Sequence, residues 1–177
     1  MSDDEERRIL SLLDECVRPT LVKHAIDEIV LRVQDKLAGD DTALMAWEPI
    51  PLVLYGERLP AMIQSSWVFI LRANTISGAE RHPNSHQRMM SYCGTGDFQV
   101  QEDSQWMSHL LADEPKLQIE HRWISIPVNV WHQAVVSDKN WVVVSFHTVP
   151  AEELIEERPD TKNGMSTRQR LYLDFGK

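Results

Sequence analysis

The sequence has few cysteines, no long hydrophobic run and a deficit of positive charge. Only 2 of its 177 residues are cysteine, which excludes the disulfide framework of a small secreted protein. It has no stretch of about 18 apolar residues, so a membrane-spanning helix is excluded. Lys and Arg total 18 against 27 Asp and Glu, a formal net charge of -9. Such an acidic chain repels a phosphate backbone, and we expect no nucleic-acid partner.

The rest of the composition is that of a globular protein. Hydrophobic residues make up 42% and charged residues 25% of the chain, which is enough to bury a core without a structural metal or disulfide. The first residues, MSDDEERR, have no apolar stretch of the kind found in a secretory signal. These features predict a cytoplasmic protein with no membrane partner.

Helical periodicity is confined to the first part of the chain. Ile9, Leu12, Leu13 and Cys16 recur at helical spacing within residues 3–17, and a second apolar stripe runs over 21–38 up to Gly39. The pattern predicts an N-terminal helical hairpin, residues 1–39, that packs against a sheet or a second subunit. We expect the protein to be a homodimer.

From residue 40 onward the chain consists of short strand-like runs separated by turn signals. These runs are 52–55, 67–74, 89–93, 98–101, 121–126, 133–137 and 141–148. No helix separates them, which predicts an antiparallel barrel or sandwich over residues 40–177. A short acidic helix is expected at 151–157, before Pro159. A final strand is expected at 171–173.

The residues best suited to bind a metal or to take part in catalysis lie in two separate stretches. The first contains Glu80, His82 and Gln87, followed by a strand-like run and Gly94. Glu80 and His82 are two apart, so on a strand their side chains share a face. The second stretch, 126–132, ends at His132.

In order and spacing these stretches resemble the two motifs of the cupin superfamily, within roughly residues 60–150. The residues that fit the first motif are Glu80, His82, Gln87 and Gly94. The residues that fit the second are Pro127, Asn129 and His132. Four positions depart from the usual pattern: Glu80 replaces a His, Gln87 replaces the Glu, Asn129 replaces a Gly, and Val136 replaces the downstream Asn of the second motif.

The resemblance implies a mainly β fold, a cupin-like antiparallel β-barrel of the jelly-roll type, whose lumen holds one divalent metal. The implied ligands are Glu80, His82, Gln87 and His132. Two imidazoles and a carboxylate suit Fe, Mn, Ni, Cu or Zn, and Gln87 would coordinate weakly or orient a ligand. His86 is expected at a loop or at the mouth of the barrel, with metal ligation as the alternative.

Four further residues are candidates for binding a small-molecule substrate. Arg72 could bind a carboxylate or phosphate group through its planar guanidinium. Trp131 is next to His132 and could line a pocket. If the strand after Gln87 is regular, Ser91 and Cys93 also point into the lumen.

Three functions are compatible with these patterns. The first is a metal-dependent enzyme acting on a small molecule by oxygenase (dioxygenase), isomerase or lyase chemistry, with catalytic residues unassigned. The second is a non-catalytic cupin that binds a small ligand as a sensor or storage module, which the Gln87 and Asn129 departures favour. The third is an interaction protein whose hairpin mediates assembly around an inert barrel.

Overall fold

A computed structural model describes residues 3–159 and 167–171 of the chain. Two α-helices come first: α1 (Asp3–Val17) and α2 (Thr20–Ala38). Pro19 separates them, and α2 ends at Gly39, where the sequence pattern placed its end. The predicted helical hairpin is confirmed. Within the described ranges neither helix is both long and apolar enough to cross a membrane.

Ten strands follow the helices within residues 3–159 and 167–171, and the mainly β fold is confirmed. They are β1 (Met45–Pro49), β2 (Ser65–Leu71), β3 (Gln87–Cys93), β4 (Thr95–Glu102), β5 (Gln105–Ala112), β6 (Trp123–Ile126), β7 (His132–Val135), β8 (Trp141–His147), β9 (Ile155–Pro159) and β10 (Thr167–Leu171). Every strand pair is antiparallel. The strands form a five-stranded sheet in the order β1-β2-β8-β3-β6, a three-stranded sheet in the order β5-β4-β7, and the pair β10-β9.

The five-stranded sheet lies between the helices and the three-stranded sheet. Alternate residues of β2 and β8 therefore face opposite apolar layers, as the pleat requires. Val68 and Phe146 pack with residues of α1 and α2. Trp67 and Val143 pack with residues of the three-stranded sheet. Both strands are buried along their whole length, which explains their long apolar runs.

The structure corrects two elements predicted from the sequence. The run 52–55 belongs to a 3-10 helix, Leu52–Arg58, that follows Pro51. The expected helix at 151–157 is a short 3-10 turn, Ala151–Glu153, followed by β9. Glu157 of β9 exchanges two backbone hydrogen bonds with Arg81, far earlier in the chain. This tertiary pairing overrides the helical preference of the acidic run. Of the predicted strand 171–173, Leu171 ends β10, and the other two residues lie outside the described part.

Candidate metal centre

The two motif stretches meet through their backbones. Glu80 lies in an extended segment before β3, and His132 is the first residue of β7. The Glu80 N–H donates to the His132 carbonyl at 2.9 Å, and the His132 N–H donates to the Glu80 carbonyl at 2.8 Å. This isolated antiparallel bridge places the two side chains next to each other, although Glu80 and His132 are far apart in sequence.

Three side chains converge at this bridge. Glu80, His82 and His132 each offer one ligand atom, and these atoms all lie within 4.8 Å of one another. The imidazole centroids of His82 and His132 are 5.4 Å apart. Only 3% of His82 and 1% of His132 is exposed to solvent. The cluster therefore sits between the sheets and not on the surface.

Backbone carbonyls fix the tautomers of both histidines. Nδ1 of His82 lies 2.9 Å from the carbonyl oxygen of Ile155, and Nδ1 of His132 lies 3.0 Å from that of Val130. Because a carbonyl can only accept, each Nδ1 carries the hydrogen and donates it. In a neutral imidazole the lone pair is then on Nε2. This is the arrangement that metal-binding histidines use.

Glu80 and His82 have the protonation states of metal ligands at neutral pH. Burial, with His132 nearby, lowers the pKa of His82 to about 4, so its ring is neutral. Burial alone would raise the pKa of Glu80, but His132 and the Arg158 guanidinium outweigh it and lower that pKa to about 2. A neutral His82 imidazole and an ionised Glu80 carboxylate therefore face each other at neutral pH.

These residues fit a divalent transition metal. Nitrogen and carboxylate donors suit Fe, Mn, Ni, Cu and Zn. Within the described ranges, Nε2 of His132 and Oε1 of Gln87 are buried without a hydrogen-bond partner. An unpaired buried polar atom is costly, and a metal ion at the cluster would offer a partner for the His132 nitrogen. Gln87 lines a small cavity next to the cluster but is not one of the three residues whose ligand atoms lie within 4.8 Å of one another.

The cavity around the cluster is small and mostly apolar, with a volume of about 30 Å³. Its lining includes Leu71, Met89, Phe98 and Val143 beside the polar residues Glu80, His82, Gln87 and His147. A larger apolar cavity of about 570 Å³ is lined by residues of β4, β5 and the end of β7, and none of the three clustered ligands lines it.

Two neighbours of the cluster were missed or undervalued in the sequence. His147, on β8, has its ring 5.1 Å from that of His82 and perpendicular to it. Burial lowers its pKa well below the usual range. The alternation Trp141, Val143, Ser145, His147 on one face of β8 could have identified it. Arg158, which directly follows the predicted helix 151–157, donates to Glu80 at 2.7 Å.

None of the four predicted substrate-binding residues is among those that line the cavity. Arg72 instead donates to the carbonyls of Leu37, Asp40 and Ala43, at the end of α2 and just beyond it. The Ser91 hydroxyl accepts the indole N–H of Trp141 and donates to the Gly94 carbonyl.

The other two also differ from the expectation. The pairing register of β3 shifts between Ser91 and Cys93, which breaks the alternation on which a lumenal Cys93 depended. Cys93 is exposed. The ring of Trp131 stacks under the Arg81 guanidinium, 4.6 Å from the ring centroid.

His86 lies away from the cluster. Its Nε2 is 2.6 Å from the Ser125 hydroxyl, and the same nitrogen is 3.8 Å from Glu6 on α1. It is one residue from Gln87, so it faces the opposite side of the chain, towards the helices. It lies in the loop before β3, as one of the two expectations had it, and it is not one of the three clustered ligands.

Comparison with known proteins gives similarity of structure only. No protein-family model and no curated protein sequence matches the chain. Similar solved structures include a pumpkin seed globulin, with 18% identity over 64% of this chain and 28% of that one, TM-score 0.49. The coconut allergen cocosin has 16% identity over 64% and 27%, TM-score 0.47. An oxalate oxidase in complex with the substrate analogue glycolate has 14% identity over 62% and 55%, TM-score 0.46.

The chain spans little more than a quarter of the length of these seed globulins, 27% and 28%. At such identities the activities of these proteins do not transfer. The chain itself is a mainly β protein of antiparallel sheets, in which both motif stretches contribute to one Glu–His–His cluster that could hold a metal ion.

Proposed function

We propose that the chain is a metal-dependent, cupin-type enzyme that acts on a small molecule by oxygenase chemistry, of the dioxygenase kind. The observation that carries this proposal is the convergence of Glu80, His82 and His132 with their ligand atoms within 4.8 Å. A set of two histidines and one carboxylate leaves positions open on a six-coordinate metal for substrate or dioxygen.

The residues of the site have distinct tasks in this proposal. Glu80, His82 and His132 hold the metal, which when bound supplies a Lewis-acidic and redox-active centre. Glu80 supplies the negative charge that stabilises a divalent cation in a buried place. Met89, Phe98 and Val143 keep bulk water away. Gln87 presents an amide oxygen that could orient a bound group.

The direct test is the metal content of purified protein. We expect about one transition-metal ion per chain by elemental analysis, and its loss in His82→Ala and His132→Ala. His24→Ala, which removes an exposed histidine of α2, is the matched control and should keep the metal. Wild-type protein that stays metal-free after incubation with Fe²⁺, Mn²⁺, Ni²⁺, Cu²⁺ and Zn²⁺ would refute the proposal.

A second candidate is a non-catalytic binding module. The cavity volume of about 30 Å³ favours it, because that space holds little more than one or two water-sized groups beside a metal. Water-proton relaxation of Mn²⁺-loaded protein separates the two functions. An enzyme needs exchangeable positions on the metal and therefore strong relaxation enhancement. A metal site that protein ligands close completely gives little relaxation enhancement.

A further inference from the structure

Arg158 contacts the ligand cluster without belonging to it. Its Nη2 donates to Oε2 of Glu80 at 2.7 Å. The other carboxylate oxygen, Oε1, lies 3.6 Å from Nε2 of His132. The two oxygens of Glu80 therefore have different neighbours: the guanidinium for one, and the imidazole side of the cluster for the other.

The contact with Arg158 fixes the orientation of the Glu80 carboxylate, which the backbone leaves free. The bridge to His132 sets the position of the Glu80 main chain, but several rotatable bonds separate that main chain from the carboxylate. A glutamate gives up much rotamer freedom when its end is held in one place. With Oε2 held by Arg158, Oε1 stays turned towards His82 and His132.

Arg158 is itself held by two further acceptors. Its Nε donates to Oε1 of Glu156 at 2.6 Å, and its Nη1 donates to the Ser77 carbonyl at 3.2 Å. Three different nitrogens thus serve three acceptors, which the planar guanidinium can do and a lysine ammonium cannot match in geometry.

The Glu156 carboxylate also balances the charge of Arg158. A lone guanidinium beside a divalent cation would repel it. Glu156 is 1% exposed and forms an ion pair with Arg158 at 2.6 Å. The pair is neutral as a unit, so it orients Glu80 without adding net positive charge.

The same strand supports a second ligand. β9 carries both Arg158 and Ile155, whose carbonyl accepts the Nδ1 hydrogen of His82. Backbone hydrogen bonds between Arg81 and Glu157 hold β9 against the segment that bears Glu80 and His82. Partners of this kind, one step away from the metal, set ligand orientation and metal affinity.

We propose that Arg158, paired with Glu156, is a positioning residue that orients the Glu80 carboxylate and thereby sets the metal affinity of the site. This inference rests on the proposed metal site, which the experiment below tests separately. The probe is Co²⁺ alone, because its visible absorption reports both binding and coordination geometry.

The decisive variant is the double substitution Arg158→Met/Glu156→Gln, which leaves the summed charge of the pair at zero. We expect about 10- to 100-fold weaker Co²⁺ binding and a changed visible spectrum. Arg81→Met/Glu157→Gln is the matched control. That pair also joins β9 to the motif segment, at 2.7 Å, with similar arginine exposure, 24% against 27%. It should bind Co²⁺ within about threefold of wild type.

The two claims fail in different ways. Wild-type protein that binds no Co²⁺ overturns the metal site and this inference with it. Wild-type binding that is matched in affinity and spectrum by the double variant overturns the role of Arg158 alone. If circular dichroism shows that the double variant does not fold, Arg158→Lys replaces it. Weaker binding and a shifted spectrum in Arg158→Lys support the proposal, and unchanged binding overturns it.

Discussion

His132 is held on several sides before any metal binds. Its backbone pairs with Glu80, its Nδ1 donates to the Val130 carbonyl, and its ring stacks on Phe98 with centroids 5.5 Å apart. A ligand held in this way loses little freedom on binding, so it favours a preorganised site. The metal affinity of the cluster should therefore depend on residues that never touch the metal.

The two cysteines should react at very different rates. Cys93 is exposed, whereas Cys16 is buried in α1. Burial also raises the pKa of Cys16, which lowers its thiolate fraction. We expect one thiol per native chain to react rapidly with Ellman's reagent, and two after denaturation. Cys93→Ser should abolish the fast phase. A native chain with no fast-reacting thiol would contradict the shift in register of β3.

Gly96 should tolerate no side chain. A Cβ there would overlap the ring of Trp141, which is itself fully buried. We expect Gly96→Ala to lower the free energy of unfolding by about 1–3 kcal/mol or more, as overpacking does. Gly39→Ala is the control, because its Cβ would meet neighbours at ordinary distances of 3.5 and 3.6 Å. Urea denaturation measures the free energy of unfolding of both variants. Equal values for Gly96→Ala and Gly39→Ala would contradict the close packing of Gly96 on Trp141.

Sequence reasoning was strong for residues inside a motif and weak elsewhere. The resemblance to the two cupin motifs brought Glu80, His82 and His132 into one prediction, and the structure brings them together. Arg158 and His147 had no motif around them, because their role depends on which strands become neighbours. Arg72 shows the reverse case: its guanidinium suited an anion, but it serves the carbonyls around the end of α2.

At the scale of elements, two carboxylates, the half-buried Glu6 and the buried Asp14, fasten α1 to the five-stranded sheet. Glu6 binds Arg88 of β3 at 2.6 and 2.9 Å. Asp14 accepts from Arg122 at 2.7 Å and from the Trp123 indole at 3.0 Å. The acidic residues of α1 therefore do more than favour the helix dipole: two of them anchor the helix on the sheet.

Removing the Asp14 charge should destabilise the protein strongly. Asp14→Asn leaves the buried Arg122 guanidinium without its carboxylate, and losing one member of a buried pair costs about 3–5 kcal/mol. Since Asp14 also pairs with the more exposed Arg18, we expect the lower end of that range. Asp4→Asn, in the exposed first turn of α1, should change little. Denaturant unfolding measures the free energy of unfolding of both variants, and similar values for Asp14→Asn and Asp4→Asn would contradict this prediction.

The same pair predicts a specific pH dependence. Burial alone would raise the pKa of Asp14, but hydrogen bonds from Arg122, Trp123 and Arg18 outweigh it, and the pKa lies below its usual value. At a pH between the folded and the unfolded pKa of Asp14, the unfolded chain binds a proton at this carboxyl more readily than the folded chain does. The stabilisation is therefore present above about pH 4 and is lost as the pH falls through the folded pKa. The stability gap between wild type and Asp14→Asn should narrow below pH 4; a constant gap would contradict this.

Elements were predictable where their pattern was local. The helices and the apolar strands β2 and β8 were found because their runs are long and regular. β1 was missed because it ends at Pro49, which an edge strand tolerates. β5 was missed because most of its residues are exposed and lack alternation. β9 was mistaken for a helix, since Arg81, which forms an isolated bridge with its Glu157, lies more than 70 residues earlier.

At the scale of the whole molecule, the helices and the sheet share one hydrophobic layer. Leu13, Ile26 and Val33 of the helices pack in the same cluster as Val144 and Phe146 of β8. The division into residues 1–39 and 40–177 made from the sequence stays a prediction, as do the homodimer and the cytoplasmic location.

Deleting residues 1–39 tests that division. The deletion uncovers the apolar face of the five-stranded sheet, and exposed apolar area of that kind favours aggregation. We expect the fragment 40–177 to lose its near-ultraviolet circular dichroism and its cooperative thermal unfolding. A fragment that unfolds cooperatively near the wild-type temperature would instead show that the β part is an independent domain.

The most direct test of the metal centre is anomalous diffraction from crystals of the protein loaded with Zn²⁺. We predict one strong peak between the sheets, about 2.0–2.2 Å from Nε2 of His82, Nε2 of His132 and Oε1 of Glu80. A peak elsewhere, or density at the cluster explained by protein atoms and water alone, would contradict the account.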